Sequence, residues 1–473
     1  MDTTGYTPEE PIAAIATALA PAALGIVRTS GKGCIELVSR LFSRPEALLK
    51  APGNALVYGW LEEPCSGQAS GGTERRRIDE VVVGVYRTPK SFTGEDMAEI
   101  SCHGGTAVVT AVFKLLLAHG FRQAQRGEFT FRAYVNGKTD LTKAEAVREI
   151  IDSRTDMSRG RAAGRLAGDL YAEIDRIKKL IVDTVAAIEV EIEYPEDEET
   201  IADSFDHARL EQAADSLQKL ADSWKSEKLY QDGARVVLCG KTNAGKSSLF
   251  NALLKEDRAI VSDIAGTTRD WLESWADFDG IPVRLFDTAG LRETADVVEL
   301  DGVERTRDLS QDADIVLYLA DASSGLDNED SDFLESRSGP VILVWNKIDR
   351  LSGGRIPLYS GVRPVSGLKA EVRVSAKTGD GLPELVETVT SFLSGGEKTE
   401  REQAGLGSAR QEAAVREALL AVRHALKTAE GDYTLDAVIQ DLEDSLDSLG
   451  EVTGDVTPED ILDSVFSHFC VGK

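Results

Sequence analysis

The sequence predicts an α/β and α+β multidomain chain: a β-rich N-terminal domain, then a discontinuous helical domain interrupted by an inserted α/β domain. Three observations carry this expectation. Short β-branched runs bounded by turn residues crowd the first 137 residues. Helical periodicity then holds from Thr142 towards Pro195 and returns from Gln411 to the end. Between those stretches strands and helices alternate, which is the pattern of a doubly wound parallel sheet. At 473 residues the chain is also too long for a single core.

The first strands lie in "PIAAIATALAPAALGIV", read as a strand, a turn at Ala20-Pro21 and a second strand. Two prolines and the preceding Glu9 and Glu10 argue against a signal peptide or a spanning helix. "NALVYGWLE" and "IDEVVVGVYRTP" supply further strands, and "CSGQASGGTERRR" reads as an exposed hairpin loop. "GGTAVVTAVFKLLLAHG" is a helix closed by Gly120. From Thr142 one long helical run is expected, with Ile174, Ile177, Ile181, Val185, Ile188 and Ile192 on its apolar face. A helix around "ARLEQAADSLQKLADSWKSEKLY" follows. The strands "ARVVLCG", "PVRLFDT", "ADIVLYLAD", "PVILVWNKID" and "EVRVSA" then build the α/β domain. "SGGEKTEREQAGLGS" is a polar linker before the last helices. The expected boundaries are 1–137, 138–228, 229–395 and 396–473, the second and fourth being halves of the helical domain.

With 42% hydrophobic and 28% charged residues, the composition is that of a globular protein. Five scattered cysteines form no C-x-x-C pair, which excludes a zinc knuckle and favours a reducing, cytoplasmic compartment. The net charge of −28 speaks against nucleic acid at face value. Residues 1–137 are nevertheless neutral, with 14 Lys/Arg and 14 Asp/Glu. Either a basic surface clusters locally, with Arg122, Arg126, Arg132, Lys138, Lys143, Arg148, Arg154, Arg159, Arg161 and Arg165 as candidates, or a partner shares such contact, the reading favoured here.

The sharpest chemistry lies in the α/β insert. "GKTNAGKSS" follows the strand "RVVLC" and opens a helix, so Gly240, Gly245, Lys246 and Ser247 satisfy G-x-x-x-x-G-K-[ST] in its proper context. Backbone amides from Asn243 and Ala244 to Ser248 would close on phosphates at a helix N-terminus. Lys246 would reach the β- and γ-phosphates and Ser247 would ligate Mg²⁺. A bare Gly-rich turn is the bland alternative. Against it stand Asp287, Thr288, Ala289 and Gly290 ("DTAG"), with Asp287 towards magnesium and the Gly290 amide towards the γ-phosphate. "NKID" supplies Asn346, Lys347 and Asp349, the last offering two acceptors to guanine N1–H and N2–H. "SAK" (Ser375, Ala376, Lys377) offers a backbone amide to guanine O6. Four elements in this order describe a Ras-like P-loop GTPase domain.

Two details narrow the class. Leu291 follows DTAG where Ras-like enzymes carry a water-positioning glutamine, so another polar group must serve. In "GTTRD", Thr268 is the candidate second Mg²⁺ ligand, and Asn243 sits where an oxygen could hold a monovalent cation such as K⁺. A loop-stabilising amide is the other reading of Asn243.

Along nearly its full length the chain resembles the MnmE (TrmE) family of tRNA modification GTPases. The matching stretches are "GIVRTSG", "SFTGEDMAEISCHGG", "RGEFTFRAYVNGKTDLTKAEAV", "GKTNAGKSSLFNAL", "AIVSDIAGTTRD", "DTAGLRETADVVELDGVERT" and "FSHFCVGK". The resemblance implies a homodimer whose N-terminal domain binds a tetrahydrofolate derivative, in its 5,10-methylene or 5-formyl form. It also implies a partner, the FAD-dependent MnmG (GidA), in a heterotetramer-type complex. Together they would place an aminomethyl or carboxymethylaminomethyl group on C5 of the wobble uridine of certain tRNAs. G domains would pair across potassium to activate hydrolysis.

By the same resemblance, Ser262, Asp263, Ile264, Ala265, Gly266, Thr267 and Thr268 would line the nucleotide. Oxygens of Ser262, Ile264 and Thr267 would join the Asn243 side chain around K⁺. Glu299 would orient the attacking water; from the residues alone it reads rather as a solvated charge. Arg28, Glu99, Lys138 and Lys473 would meet the folate, although singly the first three read as a strand flank, a cross-sheet pair and a turn lysine. Val465, Phe466, Phe469 and Val471 would anchor the tail, bringing Cys470 near the folate as a nucleophile or as an inert thiol. Two rivals stay open: a ribosome-assembly or regulatory GTPase, and a scaffold held together by nucleotide.

Overall fold

A computed structural model describes residues 10–64, 75–193, 207–255, 260, 272–287, 312–337, 339–351, 367–396, 405–429 and 435–472. Contacts divide the chain into two compact units, Met1–Arg148 with Glu443–Lys473, and Glu149–Leu442. This grouping cuts across the expected boundaries, because the last 31 residues, 443–473, cluster with the N-terminal ones.

The first unit is built on a sheet of order β3-β4-β5-β2-β1-β6. Its strands are β1 (Ile12–Ile15), β2 (Leu24–Ser30), β3 (Ala55–Pro64), β4 (Arg75–Tyr86), β5 (Met97–His103) and β6 (Arg122–Gln123). Neighbours are antiparallel except β1 and β6. The hairpin expected of "CSGQASGGTERRR" exists, but Arg75–Arg77 belong to β4, ladder-paired with Pro64, Glu63 and Glu62. On one face, α1 (Cys34–Arg40), α2 (Pro45–Leu49) and α3 (Thr106–Ala118) enclose a core that includes Val27, Ile35, Val83, Ile100 and Leu116. Strand alternation sends Ile12, Ala14 and Met97 to the other face, where Phe129 of α4 (Glu128–Val135) covers them. On the same unit, the C-terminal helix Glu459–Ser467 buries Phe466 and Phe469 against Phe131 and Leu141.

The long helix expected from Thr142 is three helices: α5 (Leu141–Asp152), α6 (Asp156–Ala167) and α7 (Asp169–Glu193). A capping box between Thr155 and Ser158 starts α6, and Gly168, at φ 108°, ends it. Both breaks are local chemistry that overrides an unbroken apolar pattern. After α8 (His207–Asp232) comes a second sheet of order β12-β11-β10-β7-β9-β8. It comprises β7 (Ala234–Gly240), β8 (Leu272–Phe278), β9 (Ile281–Asp287), β10 (Ile315–Asp321), β11 (Val341–Asn346) and β12 (Leu368–Arg373). All neighbours are parallel except β8, an edge strand that the sequence reading lacked because Glu273, Ser274 and Asp277 break its apolar pattern. The helices α9 (Lys246–Leu254), α10 (Asn328–Ser336) and α11 (Leu382–Leu393) follow their strands, and α12 (Ala409–Ala429) packs along α8. The last long helix is α13 (Leu435–Thr453). Among the described residues no helix is long and apolar enough to cross a membrane.

Candidate functional site

The central strand β7 delivers the chain to Gly240, and α9 opens at Lys246. Gly245 caps that helix at φ 97°, and a Cβ there would lie 2.3 Å from Nδ2 of Asn346. Only glycine permits both the angle and the approach. Lys246 is buried, its Nζ donating to the carbonyls of Gly240 (2.8 Å) and Lys241 (2.9 Å). Ser247 and Ser248 stand exposed on the first turn of α9. Asp287 ends the adjacent β9 and is buried.

Asn346 is the hub of the arrangement. Its Nδ2 donates to the Ala244 carbonyl at 2.9 Å, while its Oδ1 accepts from the amides of Lys347 (2.8 Å) and Ala376 (3.0 Å). Phosphate loop, "NKID" and "SAK" are therefore joined through one side chain. Ser375 donates its hydroxyl to Oδ1 of Asp349 at 2.8 Å; Asp349 and Lys377 are both exposed. Lys347 donates Nζ to the Asn243 carbonyl and to Oδ2 of Asp321 at 2.8 Å. Burial pushes the Asp321 carboxyl up, but the Lys347 ammonium and the Ser323 donors outweigh it and hold it down at about 2. Asp321 escaped the sequence reading; its only signal is an acid closing the strand beside "NKID".

A hydroxyl on a helix's first turn and a carboxylate at a neighbouring strand end are the hard oxygen donors that Mg²⁺ takes, and the phosphates of a bound nucleotide complete such a set. Ser262, Asp263, Ile264, Ala265, Gly266, Thr267, Thr268, Thr288, Ala289, Gly290, Leu291 and Glu299 lie outside the described residues.

On the first unit, Arg28 and Glu99 are cross-strand partners on β2 and β5. Arg28 donates Nε to Oε1 of Glu99 at 2.8 Å and Nη1 to the Gly472 carbonyl at 3.2 Å. Its guanidinium lies 5.5 Å from the Phe92 ring centre and 5.7 Å from that of Phe129. Tyr86 reaches Oε2 of Glu99 at 3.4 Å; burial and that carboxylate raise its phenol above the ordinary range. Lys138 donates Nζ to the Pro89 carbonyl at 3.0 Å, on the loop that carries Phe92. A carboxylate, two cations and aromatic faces suit a pterin with an anionic tail. Lys473 lies outside the described residues.

The tail departs from expectation in one respect. Phe466 and Phe469 are buried, whereas Val471 is 39% exposed and anchors instead through a backbone bridge to Arg126. Cys470 is exposed, while Cys34, Cys102 and Cys239 are buried. Burial raises all three buried thiols, Cys102 to about 11 and Cys239 to about 12, which keeps them protonated and inert.

Of the ten basic residues from Arg122 to Arg165, Arg126, Lys138, Arg148 and Arg159 are exposed, while five others are engaged within the protein. Arg132 is fully buried between Glu95 and Glu128, and Arg122 is paired with Glu10 and Glu128. Arg165 and Arg161 are buried on Glu149 and Glu227, and Arg154 stacks on Trp275 at 4.0 Å. All of these engaged arginines except Arg154 are spent on acids, as a strongly acidic chain permits.

Known proteins carry the same arrangement of segments. A family model for the MnmE helical domain matches residues 141–470, and one for the GTP-binding protein TrmE N-terminus matches residues 11–138. The chain is 50% identical to a tRNA modification GTPase MnmE of Treponema denticola, covering 99% of each. It is 43% identical to that of Treponema pallidum over 99% of each chain. With that of Carboxydothermus hydrogenoformans it shares 39% identity over 98% of this chain and all of the other. With 50% identity over nearly its whole length and both family models matched, the chain belongs to the MnmE family of tRNA modification GTPases.

Proposed function

We propose that this chain, a tRNA-modifying GTPase by family, acts with an FAD-dependent MnmG partner to install an aminomethyl or carboxymethylaminomethyl group on C5 of the wobble uridine. The carrying observation is Asn346, which ties the phosphate loop to both base-reading segments. That linkage makes one site of phosphate and guanine recognition, and it supports GTP with Mg²⁺ at Ser247 and Asp287. Lys246 would meet the β- and γ-phosphates by exchanging its carbonyl partners for phosphate oxygens. Asn243 and the residues 262–268 would hold K⁺ between paired G domains, and Glu299 would orient water.

The Arg28–Glu99 pair beside Gly472 supports the folate reading, with Lys138 and Lys473 as further cations and Cys470 beside them. When bound, the folate supplies the one-carbon unit; the chain's own residues orient it and neutralise its tail. Since Arg122, Arg132, Arg154, Arg161 and Arg165 are engaged within the protein, the partner shares the tRNA contact in this reading. A homodimer in the cytoplasm completes it.

The test is GTP turnover by the full-length protein in potassium chloride and in sodium chloride at matched ionic strength. A large preference for potassium is expected. Equal rates would favour a regulatory GTPase without the cation site.

A further inference from the structure

Two residues of the nucleotide site hold the left-handed region without being glycine: Asn243 at φ 64° and Lys347 at φ 65°. Such residues cost on the order of 1 kcal/mol each unless their surroundings hold them. One ammonium joins them, since Lys347 Nζ donates to the Asn243 carbonyl. That ammonium has a second acceptor, Oδ2 of Asp321, at 2.8 Å.

Asp321 is set firmly. It ends β10, pairs in register with Asn346, and its Oδ1 accepts from the Ser323 amide (2.9 Å) and hydroxyl (2.6 Å). At the other end of the same connection, Asp327 pairs with Lys241 of the phosphate loop. The segment from Asp321 to Asp327 therefore holds the loop at two points, directly at Lys241 and through Lys347 at Asn243. Without the carboxylate, the Lys347 ammonium would have one fewer acceptor and an unbalanced charge beside a carbonyl.

We propose that Asp321 is a positioning residue for the nucleotide, a role that rests on the GTP reading above: it fixes Lys347 on the Asn243 carbonyl, so that the phosphate loop is already shaped when GTP or GDP arrives. The carboxylate touches neither phosphate nor base in this role. It acts through Lys347, and the two should be energetically coupled.

GDP bearing a fluorescent methylanthraniloyl group is titrated into full-length wild type, Asp321→Asn, Asp321→Glu, Lys347→Met and the Asp321→Asn/Lys347→Met double variant. Asp321→Asn should weaken binding about tenfold. Asp321→Glu should recover most of the loss, and the double variant should bind no worse than Lys347→Met alone. Affinity within twofold of wild type for Asp321→Asn, or losses that multiply in the double variant, would overturn the role. Should Asp321→Asn not fold by circular dichroism, Asp321→Ser takes its place with the same expectations. A wild type that binds no GDP would overturn the nucleotide reading itself, and this role with it.

Discussion

Gly472 lies 444 residues after Arg28 in the chain, yet its carbonyl accepts a hydrogen bond from Nη1 of Arg28 at 3.2 Å. The same guanidinium donates to Glu99 on the neighbouring strand. Gly472 can reach that place only if the segment before it is held. Here it is retained because Phe466 packs edge-on against Phe131 at 5.3 Å, Tyr134 bonds the Gly454 carbonyl, and Val471 bridges to Arg126. The terminus is thus a wall of the Arg28–Glu99 site.

Deleting Val471–Lys473 should therefore leave GTP turnover within about twofold, because the nucleotide site is built by other elements, and abolish tRNA modification in the assay reconstituted with the flavoprotein partner. Full modification by the truncated chain would show that the wall is dispensable.

What could be read beforehand follows from how local each signal was. Gly240–Ser247, Asn346–Asp349 and Ser375–Lys377 declare themselves because phosphate and guanine chemistry demand fixed residue types at fixed spacings. Ion pairing leaves no such trace. Arg132 and Arg165 look like surface cations in sequence, and only the fold shows Glu95, Glu128, Glu149 and Glu227 around them. The breaks at Thr155 and Gly168 were equally hidden, since Ser, Thr and Gly within an apolar period are tolerated in many helices. Asp321 fell between these cases: strand-ending acids are common, and its partner Lys347 already had an assigned place.

Asp349→Asn should weaken GTP on the order of a hundredfold and admit xanthosine triphosphate, because the two acceptors that match the guanine donors become one acceptor and one donor. The Ser375 hydroxyl still has an amide oxygen to donate to, so the local fold should persist. Competition binding with the two nucleotides checks this, and an unaltered base preference would show that Asp349 does not read the base.

Arg132→Met should cost about 3 kcal/mol, because it takes a cation from Glu95 and leaves Glu128 with Arg122 alone, in a site where Arg132 itself has no exposed surface. Amide exchange in peptides covering β2 and β5, followed by mass spectrometry, should quicken by about a hundredfold. Rates equal to wild type would mean that the two acids find other partners.

Acid sensitivity has a sign fixed by Glu128. Burial pushes its carboxyl up, yet hydrogen bonds from Arg122, the Gln125 amide and Arg132 outweigh it, so the folded value lies below the ordinary 4.5. Its contribution is complete above 4.5 and is lost as pH falls through the lower folded value. The thermal midpoint of wild type should therefore fall across that window. Glu128→Gln should start lower at neutral pH and fall less steeply, and parallel curves would assign the acid limb to other carboxylates.

Two glycine-to-alanine changes in the second unit should act with opposite signs. A Cβ on Gly407 would lie 2.1 Å from Oε1 of Glu149 and 3.1 Å from Nε of Arg165. Glu149 cannot simply swing aside, because its Oε2 is held by Nε (2.7 Å) and Nη2 (2.6 Å) of Arg165, which also bonds Glu227. Gly407→Ala must therefore shift either the backbone or a buried ion pair, a cost of about 1–3 kcal/mol. Gly160 lies exposed inside α6 with nothing near the position of a Cβ, so Gly160→Ala removes only unfolded-state freedom and should stabilise by about 0.5–1 kcal/mol. Differential scanning calorimetry of the two full-length variants compares them directly. A Gly407→Ala midpoint equal to or above that of Gly160→Ala would mean that the Arg165–Glu149–Glu227 cluster yields freely and does not fix the chain's path at Gly407.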